Sequence, residues 1–295
     1  MSAGPLPPFG GEEARPVEPG RARLVLLPVP YERTATYRRG TAAGPAAILD
    51  ASRQVELYDE EVEFDLAGAG VATLPPLTSD GMPDTLADLV EPVVRRHLDG
   101  GRIVGCLGGE HSVSLGAIRA AARYQPGLGI LQIDAHPDLR DEYEGTRFGH
   151  GCVMRRALDL PEVGRLVQVG LRAISPEDAA AMRERRVRSF LAHQLRGRAP
   201  AEWAAAAVDA LPEAVYVSFD LDGLDPSVIP GTGTPEPGGL SWWDALALLR
   251  LVAARRRIIA FDVVELLPEP PSRVSDFAAA RLVMKLVAYL LGPRR

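Results

Sequence analysis

Three side chains that bind metal ions well stand at alternate positions near the middle of the 295-residue chain. Asp134, His136 and Asp138 directly follow an apolar run that begins at Gly129. Side chains of an extended segment alternate between two faces, so residues at every second position can share one side. Carboxylate oxygen and imidazole nitrogen together form a ligand set that suits Mn²⁺ or a related divalent ion. The spacing therefore indicates a metal site at the end of a predicted strand.

Acidic and imidazole residues also follow three other apolar runs. They are Glu110, His111, Asp220, Asp222, Asp225 and Glu265. In open α/β sheets, binding sites form where the carboxyl ends of the strands meet. Carboxylates gathered at one edge repel one another unless cations balance them, and two divalent ions roughly 3.5–4 Å apart would do so. Any single acid could instead be a turn residue or a helix cap, but several such segments at several strand ends favour one shared site.

The alternation of strand and helix patterns predicts the fold class. Near-continuous apolar runs, typical of strands covered on both faces, begin at Arg23, Arg102, Gly129, Arg165, Val187, Ala214 and Arg257. Helical patterns begin at Thr85, Ser114, Ser175, Ala199, Ser241 and Ser275. This order predicts an α/β protein with a mainly parallel sheet. Residues 1–20 are rich in Pro, Gly and Glu and predict a poorly ordered tail, followed by a single domain over residues 21–295.

Composition argues against several classes of function. The formal net charge of -6 gives no support for binding to nucleic acid or to an anionic membrane surface. No apolar run approaches the roughly 20 residues of a membrane span, and the first residues lack the pattern of a signal peptide. Cys106 and Cys152 are too few for a disulfide framework. These observations predict a cytoplasmic protein.

Four segments resemble the signature blocks of the ureohydrolases, the arginase and agmatinase family, and are most like agmatinase. They are GGEHSVS, DAHPDLRDEYEG, SFDLDGLDPSVIPGTGTPEPGGLS and AFDVVEL, and the similarity extends from about Pro28 to the C-terminal helix. The resemblance implies a three-layer α/β/α fold around a parallel sheet of about eight strands. It also implies two Mn²⁺ ions per subunit, hydrolysis of a guanidino group to an amine and urea, and a homo-oligomer, a trimer or a hexamer.

The resemblance further implies roles for individual residues. One metal ion would be surrounded by His111, Asp134, Asp138 and Asp220, and the other by Asp134, His136, Asp220 and Asp222. Asp134 and Asp220 would then bridge the two ions. His150 matches the family's mobile catalytic histidine, and Glu265 matches the glutamate that pairs with the substrate guanidinium. Asp138 would pass a proton of the attacking water towards the leaving nitrogen. The alternatives are that Glu265 is only a turn residue and His150 only a loop residue.

The loop after the DAHPD segment bears on the choice of substrate. Asp141, Glu142 and Glu144 predict an acidic rim that binds the amine at the far end of a small cationic guanidino compound. Agmatine, cleaved to putrescine and urea in polyamine synthesis, is the first candidate, and the longer aminopropylagmatine is the second. Arg140 or Arg147 could instead bind a carboxylate, which leaves guanidinobutyrate, arginine and formiminoglutamate open.

Two other classes of protein remain as alternatives to a ureohydrolase. Zinc deacetylases share the implied fold and keep a single metal ion, usually held by an Asp-His-Asp set. A non-catalytic metal-binding protein is the other alternative. All six implied ligand positions are filled in this sequence, which favours two ions and an enzyme.

Overall fold

Eight parallel strands form the central sheet of the protein in the computed structural model, which describes residues 6–293. Two further strands form a separate antiparallel hairpin. In chain order the strands are β1 (Leu24–Val29), β2 (Tyr58–Asp59), β3 (Phe64–Asp65), β4 (Val71–Thr73), β5 (Ile103–Gly108), β6 (Leu128–Ile133), β7 (Val163–Leu171), β8 (Val187–Leu191), β9 (Ala214–Asp220) and β10 (Arg257–Val264). The order across the sheet is β4-β1-β5-β10-β9-β6-β7-β8.

Helices cover both faces of the sheet and create two hydrophobic cores. They are α1 (Gly44–Ser52), α2 (Pro83–Asp99), α3 (Ser114–Tyr124), α4 (Val153–Leu158), α5 (Pro176–Ala181), α6 (Ala192–Leu195), α7 (Pro200–Asp209), α8 (Trp242–Arg255) and α9 (Val274–Leu291). In β1, Leu24 and Leu26 belong to one core, whereas Val25 and Leu27 belong to the other. Because both faces of the central strands are covered, these strands are mainly apolar. The predicted three-layer α/β/α fold is confirmed.

The seven strands expected from the sequence are all present, and three shorter strands were not indicated by it. The strand β4 and the hairpin β2–β3 have three residues or fewer per strand, too few to show a periodic pattern. Helices α1, α4 and α6 were not predicted either. Among the described residues, no helix is both long and apolar enough to cross a membrane.

The amino-terminal segment, for which composition predicts a poorly ordered tail, contacts the rest of the protein within its described residues. Phe9 is buried in the core, and its amide donates to Thr73 Oγ1 at 2.9 Å. The amide of Gly10 donates to Ser52 Oγ, also at 2.9 Å. Residues 6–20 therefore contact the domain, since one aromatic side chain anchors them, and residues 1–5 lie outside the described part of the chain. The single domain over residues 21–295 stays a prediction.

The sheet order brings the four acid-bearing strand ends together. The four strands that precede the acidic residues, β5, β10, β9 and β6, are consecutive neighbours in the middle of the sheet. All of their pairings are parallel, so their carboxyl ends meet at one edge. Gly109, just after β5, lies so close to Tyr31 that an added Cβ would be 2.1 Å from its carbonyl oxygen. A side chain here would force apart the loops after β1 and β5.

We expect the substitution Gly109→Ala to destabilise the fold and to displace the loop that carries His111. Overpacking of this kind costs about 1–3 kcal/mol of unfolding free energy, which chemical denaturation would measure. Gly20→Ala is the matched control because nothing lies within 4 Å of a Cβ built at Gly20. Equal unfolding midpoints for the two variants would show that the contact with Tyr31 is not tight.

Candidate metal centre

The side chain of His111 is buried against three carboxylates. Its Nδ1 lies 2.9 Å from Asp138 Oδ2, 3.2 Å from Asp134 Oδ2 and 3.3 Å from Asp220 Oδ2. All four side chains are at most 7% exposed. Unpaired charges are costly in such a place, so the cluster needs a cation. A proton on Nδ1 is one such cation: burial disfavours it, but the three carboxylates together raise the pKa of His111 well above its usual range.

The other nitrogen of His111 shows that the cluster fits a metal ion. Nε2 lies 2.8 Å from Ser218 Oγ, and this hydroxyl donates to the carboxylate of Asp262 at 3.0 Å. A hydroxyl has one proton, so Ser218 accepts from Nε2–H, and the lone pair of neutral His111 is on Nδ1. That lone pair faces three carboxylate oxygens, and Nδ1 is a buried atom without a hydrogen-bond partner among the described residues. A divalent cation between them would satisfy all four groups.

A second set of ligand atoms adjoins the first and shares one of its residues. His136 Nδ1 lies 3.0 Å from Asp222 Oδ2 and 3.6 Å from Asp134 Oδ1. The two sets whose ligand atoms all lie within 4.8 Å of one another are His111, Asp134 and Asp138, and Asp134, His136 and Asp222. The shared Asp134 has the position expected of a bridging ligand. Asp220 is near His111 but is outside both three-residue sets.

Buried polar residues within the strands hold the ligands in place, and sequence reasoning missed them. Gln132 Nε2 donates to Asp134 Oδ2 at 2.7 Å, and Gln168 Nε2 donates to Gln132 Oε1 at 2.6 Å. Under His111, the hydroxyl of Tyr216 donates to Asp262 at 2.6 Å. Partners of this kind orient metal ligands and fix their tautomers. The available signal was a polar residue in the middle of an apolar strand.

Both predicted catalytic carboxylates have an unusual backbone conformation. Asp138 and Glu265 have φ values of 55° and 65°, in the left-handed region that non-glycine residues rarely adopt. Burial raises the pKa of Asp138 to about 7 and that of Glu265 to about 8. Glu265 Oε1 accepts from the amide of His111 at 2.6 Å. Gly233 leaves space beside Glu265 Oε2, since a Cβ built there would be 3.7 Å away.

A cleft of about 350 Å³ opens above the carboxylate and histidine cluster. The three predicted catalytic residues, Asp138, His150 and Glu265, all line it. Its wall includes Tyr37, Arg38, His111, His136, Asp138, Arg140, Tyr143, His150, Asp178, Asp220, Asp222 and Glu265. Burial lowers the pKa of His150, so its ring is neutral at neutral pH. The cleft therefore combines metal ligands, a neutral imidazole and a carboxylate with a free oxygen.

The acidic loop residues are not where the sequence suggested. Asp141 accepts hydrogen bonds from Arg147 and Arg156, and it does not line the cleft. Glu142 and Glu144 are exposed and also lie outside the cleft wall. The predicted contact of these three carboxylates with the substrate is therefore unsupported, because neighbouring arginines and solvent compete for them. The same loop instead contributes Arg140 and Tyr143 to the cleft.

Comparisons with a family model, with related sequences and with solved structures all point to the same family. The model described as the Arginase family matches residues 22–289. The chain is 38% identical over 280 residues to N(1)-aminopropylagmatine ureohydrolase of a Synechocystis species, covering 91% of this chain and 89% of that protein. It is 31% identical to agmatinase of Pyrococcus horikoshii, covering 92% of each. The crystal structure of agmatine ureohydrolase of Thermoplasma volcanium superposes with a TM-score of 0.84 at 31% identity, covering 93% of this chain and 92% of that one.

We expect Asp134→Asn to weaken the binding of divalent ions more than Asp222→Asn does, because Asp134 belongs to both sets of ligand atoms. Equilibrium dialysis with metal analysis would measure the ions retained per chain. Asp225→Asn is the control: Asp225 belongs to the same SFDLDGLDP segment, but its carboxylate accepts from Ser227 and from the amides of Gly238 and Gly239 and belongs to neither set of ligand atoms. Equal retention by all three variants would contradict the assignment.

Proposed function

Because the chain belongs to the arginase family, it is a hydrolase of guanidino compounds, and we propose that it cleaves agmatine to putrescine and urea. A substrate of this class has a terminal guanidinium and an amine at its far end. The observation that carries the proposal is that both arginines of the described cleft wall have acidic neighbours. A second candidate, N(1)-aminopropylagmatine, has the same terminal group on a longer amine chain.

Both arginines of the described cleft wall already have acidic neighbours, which disfavours a carboxylate-tailed substrate. The wall contains two arginines, and each has an acidic partner. Arg38 forms an ion pair with Glu269. The Nε of Arg140 lies 3.7 Å from Asp178 Oδ2, and its guanidinium stacks on Tyr143 at 4.1 Å from the ring centroid. The carboxylates of arginine, guanidinobutyrate and formiminoglutamate would compete with these acidic neighbours, whereas an amine tail would not.

The open end of the cleft favours keeping aminopropylagmatine as the second candidate. Tyr37 belongs to the cleft wall and is 74% exposed, so the cleft reaches solvent. A longer polyamine tail could extend past this ring, and aromatic faces attract ammonium groups. The 38% identical Synechocystis relative is named for this compound.

We propose two Mn²⁺ ions as the cofactor, held by His111, Asp134, Asp138, Asp220, His136 and Asp222. The mixed nitrogen and oxygen donors without thiolate suit manganese, since both cysteines are buried and belong to neither ligand set. The chemistry that the ions supply is a lowered pKa of the attacking water. The two adjacent sets also argue against a deacetylase with a single zinc ion.

The chain's own residues bind the guanidinium and move protons. Glu265, anchored through Oε1 to the amide of His111, offers Oε2 to the guanidinium and orients its carbon. Asp138, beside His111, is placed to carry one proton of the attacking water to the leaving nitrogen. His150 in the cleft wall is placed to deliver the second proton. Both water protons must reach that nitrogen, because it leaves as an alkylammonium and urea takes the oxygen.

The remaining expectations concern the protein's surroundings. We propose a role in polyamine synthesis, a cytoplasmic location, no nucleic-acid partner, and a homo-oligomer, a trimer or a hexamer. Of the three tryptophans, Trp203 is buried in the core and cannot anchor an interface, whereas Trp243 is 64% exposed. Trp243 is therefore the tryptophan most accessible to a second subunit.

Urea release from a panel of substrates tests the proposed function. The manganese-loaded protein would be given agmatine, aminopropylagmatine, guanidinobutyrate and arginine, with formiminoglutamate assayed for formamide release. We expect kcat/KM to be highest for one of the two amine-tailed compounds and at least about 100-fold lower for the acids, because their carboxylates must compete with acidic neighbours for Arg38 and Arg140. Hydrolysis of an acid-tailed compound in preference to both amines would contradict the substrate assignment.

We expect Glu265→Gln to lower kcat/KM for the best substrate about 100-fold, since the amide cannot form a charge-assisted pair with a guanidinium. The metal content should stay unchanged. Glu162→Gln serves as the control because Glu162 precedes β7 and lies outside the cleft. A Glu265→Gln enzyme with wild-type kcat/KM would exclude this residue from substrate binding.

A further inference from the structure

His150 contacts Thr34, a residue far from it in the sequence and outside the four signature segments. Its Nδ1 lies 3.1 Å from the hydroxyl oxygen of Thr34, and its backbone amide donates to the same oxygen, also at 3.1 Å. Thr34 follows β1 and is 116 positions earlier in the chain. The imidazole also packs against the ring of Tyr143 in a T-shaped arrangement, with centroids 5.7 Å apart. The ring is therefore held at one nitrogen and by an aromatic contact.

The single hydroxyl proton of Thr34 is already used. Thr34 Oγ1 donates to Glu110 Oε1 at 2.8 Å, and Glu110 is fully buried. Glu110 Oε2 accepts from the amides of Arg33 and Thr34, each at 2.6 Å, and the hydroxyl of Ser112 also donates to this carboxylate. All of these partners donate to Glu110, as an ionised carboxylate requires. The lone pairs of Thr34 Oγ1 are thus left for donors from His150.

This arrangement determines which nitrogen of neutral His150 carries the proton. Thr34 Oγ1 can only accept from the ring, so Nδ1 must bear hydrogen and Nε2 must bear the lone pair. We propose that Thr34, oriented by Glu110, is a positioning residue that keeps His150 in the Nδ1–H tautomer with Nε2 free to exchange a proton. The inference rests on the proposed function for its role in turnover, although the tautomer itself does not.

The proton transfer balances in this tautomer. Nε2 takes up one proton derived from the water that hydrolysis consumes, and the ring becomes an imidazolium. The imidazolium then gives that proton to the leaving amine nitrogen and returns to the neutral Nδ1–H form. In the opposite tautomer Nε2 already carries hydrogen, so the ring could not accept a proton at the position that Thr34 leaves open. The hydroxyl therefore selects the form that can complete the cycle.

The burial of His150 makes the tautomer matter at neutral pH. Burial lowers the pKa of His150, and the nearby carboxylate of Glu110 opposes that effect. The resting ring is therefore neutral and must receive its proton during turnover. A fixed tautomer shortens that step because no ring rotation or solvent exchange is needed first.

Nitrogen NMR of the full-length chain tests the tautomer without requiring activity. The chain would be labelled with ¹⁵N-histidine and loaded with diamagnetic Zn²⁺, and His150→Asn would assign the signal. We expect Nδ1–H in the wild type and in Thr34→Ser, and loss of this preference in the near-isosteric Thr34→Val. An Nε2–H tautomer in the wild type, or an unchanged Nδ1–H signal in Thr34→Val, would overturn the inference.

Kinetics separate positioning from a merely structural effect. With the best substrate of the panel, we expect Thr34→Val to lower kcat about 100-fold with unchanged KM and metal content. The kcat of Thr34→Ser should stay close to that of the wild type, because serine keeps the hydroxyl. In a His150→Asn background, Thr34→Val should have no further effect, because the residue it positions is absent. An equal loss in both backgrounds would overturn the positioning role. Absence of wild-type urea release would refute the proposed function and leave the NMR result standing.

Discussion

Concentrated negative charge at one edge of the sheet is the constraint on which the site depends. Four neighbouring strands end at this edge, and the carboxylates of Asp134, Asp138 and Asp220 surround one buried imidazole nitrogen. Burying these charges without cations would cost several kcal/mol per ion. The sheet therefore has to be stable enough to hold a repulsive cluster, and its cores on both faces supply that stability. Divalent cations would turn the same repulsion into the binding energy of the metal centre.

Two histidines of the site are each governed by a hydroxyl that is itself bound to a buried carboxylate. Ser218 and Asp262 hold Nε2 of His111, so that Nδ1 faces the carboxylate cluster. Thr34 contacts Nδ1 of His150, and Glu110 holds Thr34 in turn. The chemical logic is the same in both cases, because a hydroxyl that has donated its one proton can only accept. The opposite nitrogens are thereby left for the proposed metal binding and the proposed proton exchange.

Backbone strain and close packing are concentrated around the same cluster. Asp138 and Glu265 have left-handed backbone conformations, which cost about 1–3 kcal/mol each in residues other than glycine. Gly109 and Gly223 allow backbone approaches that a Cβ would block, the second against the amide of Asp134 at 2.8 Å. These features direct side chains towards the cleft, whereas an unstrained turn would direct the same side chains elsewhere. The rigid strands below are what maintain them.

The sequence by itself determined the fold class, and it indicated the residues of the candidate metal centre. The apolar run of β6 and the parallel pairing of its neighbours place Asp134, His136 and Asp138 just beyond the carboxyl end of a central strand. The period-2 rule does not describe them, because the strand ends at Ile133 and Asp138 has a left-handed backbone. The tertiary structure decided the rest. It paired Asp141 with arginines, and it brought Thr34 to His150 across 116 positions. A hydrogen bond between distant loops leaves no local pattern, because its geometry exists only after the whole sheet has formed.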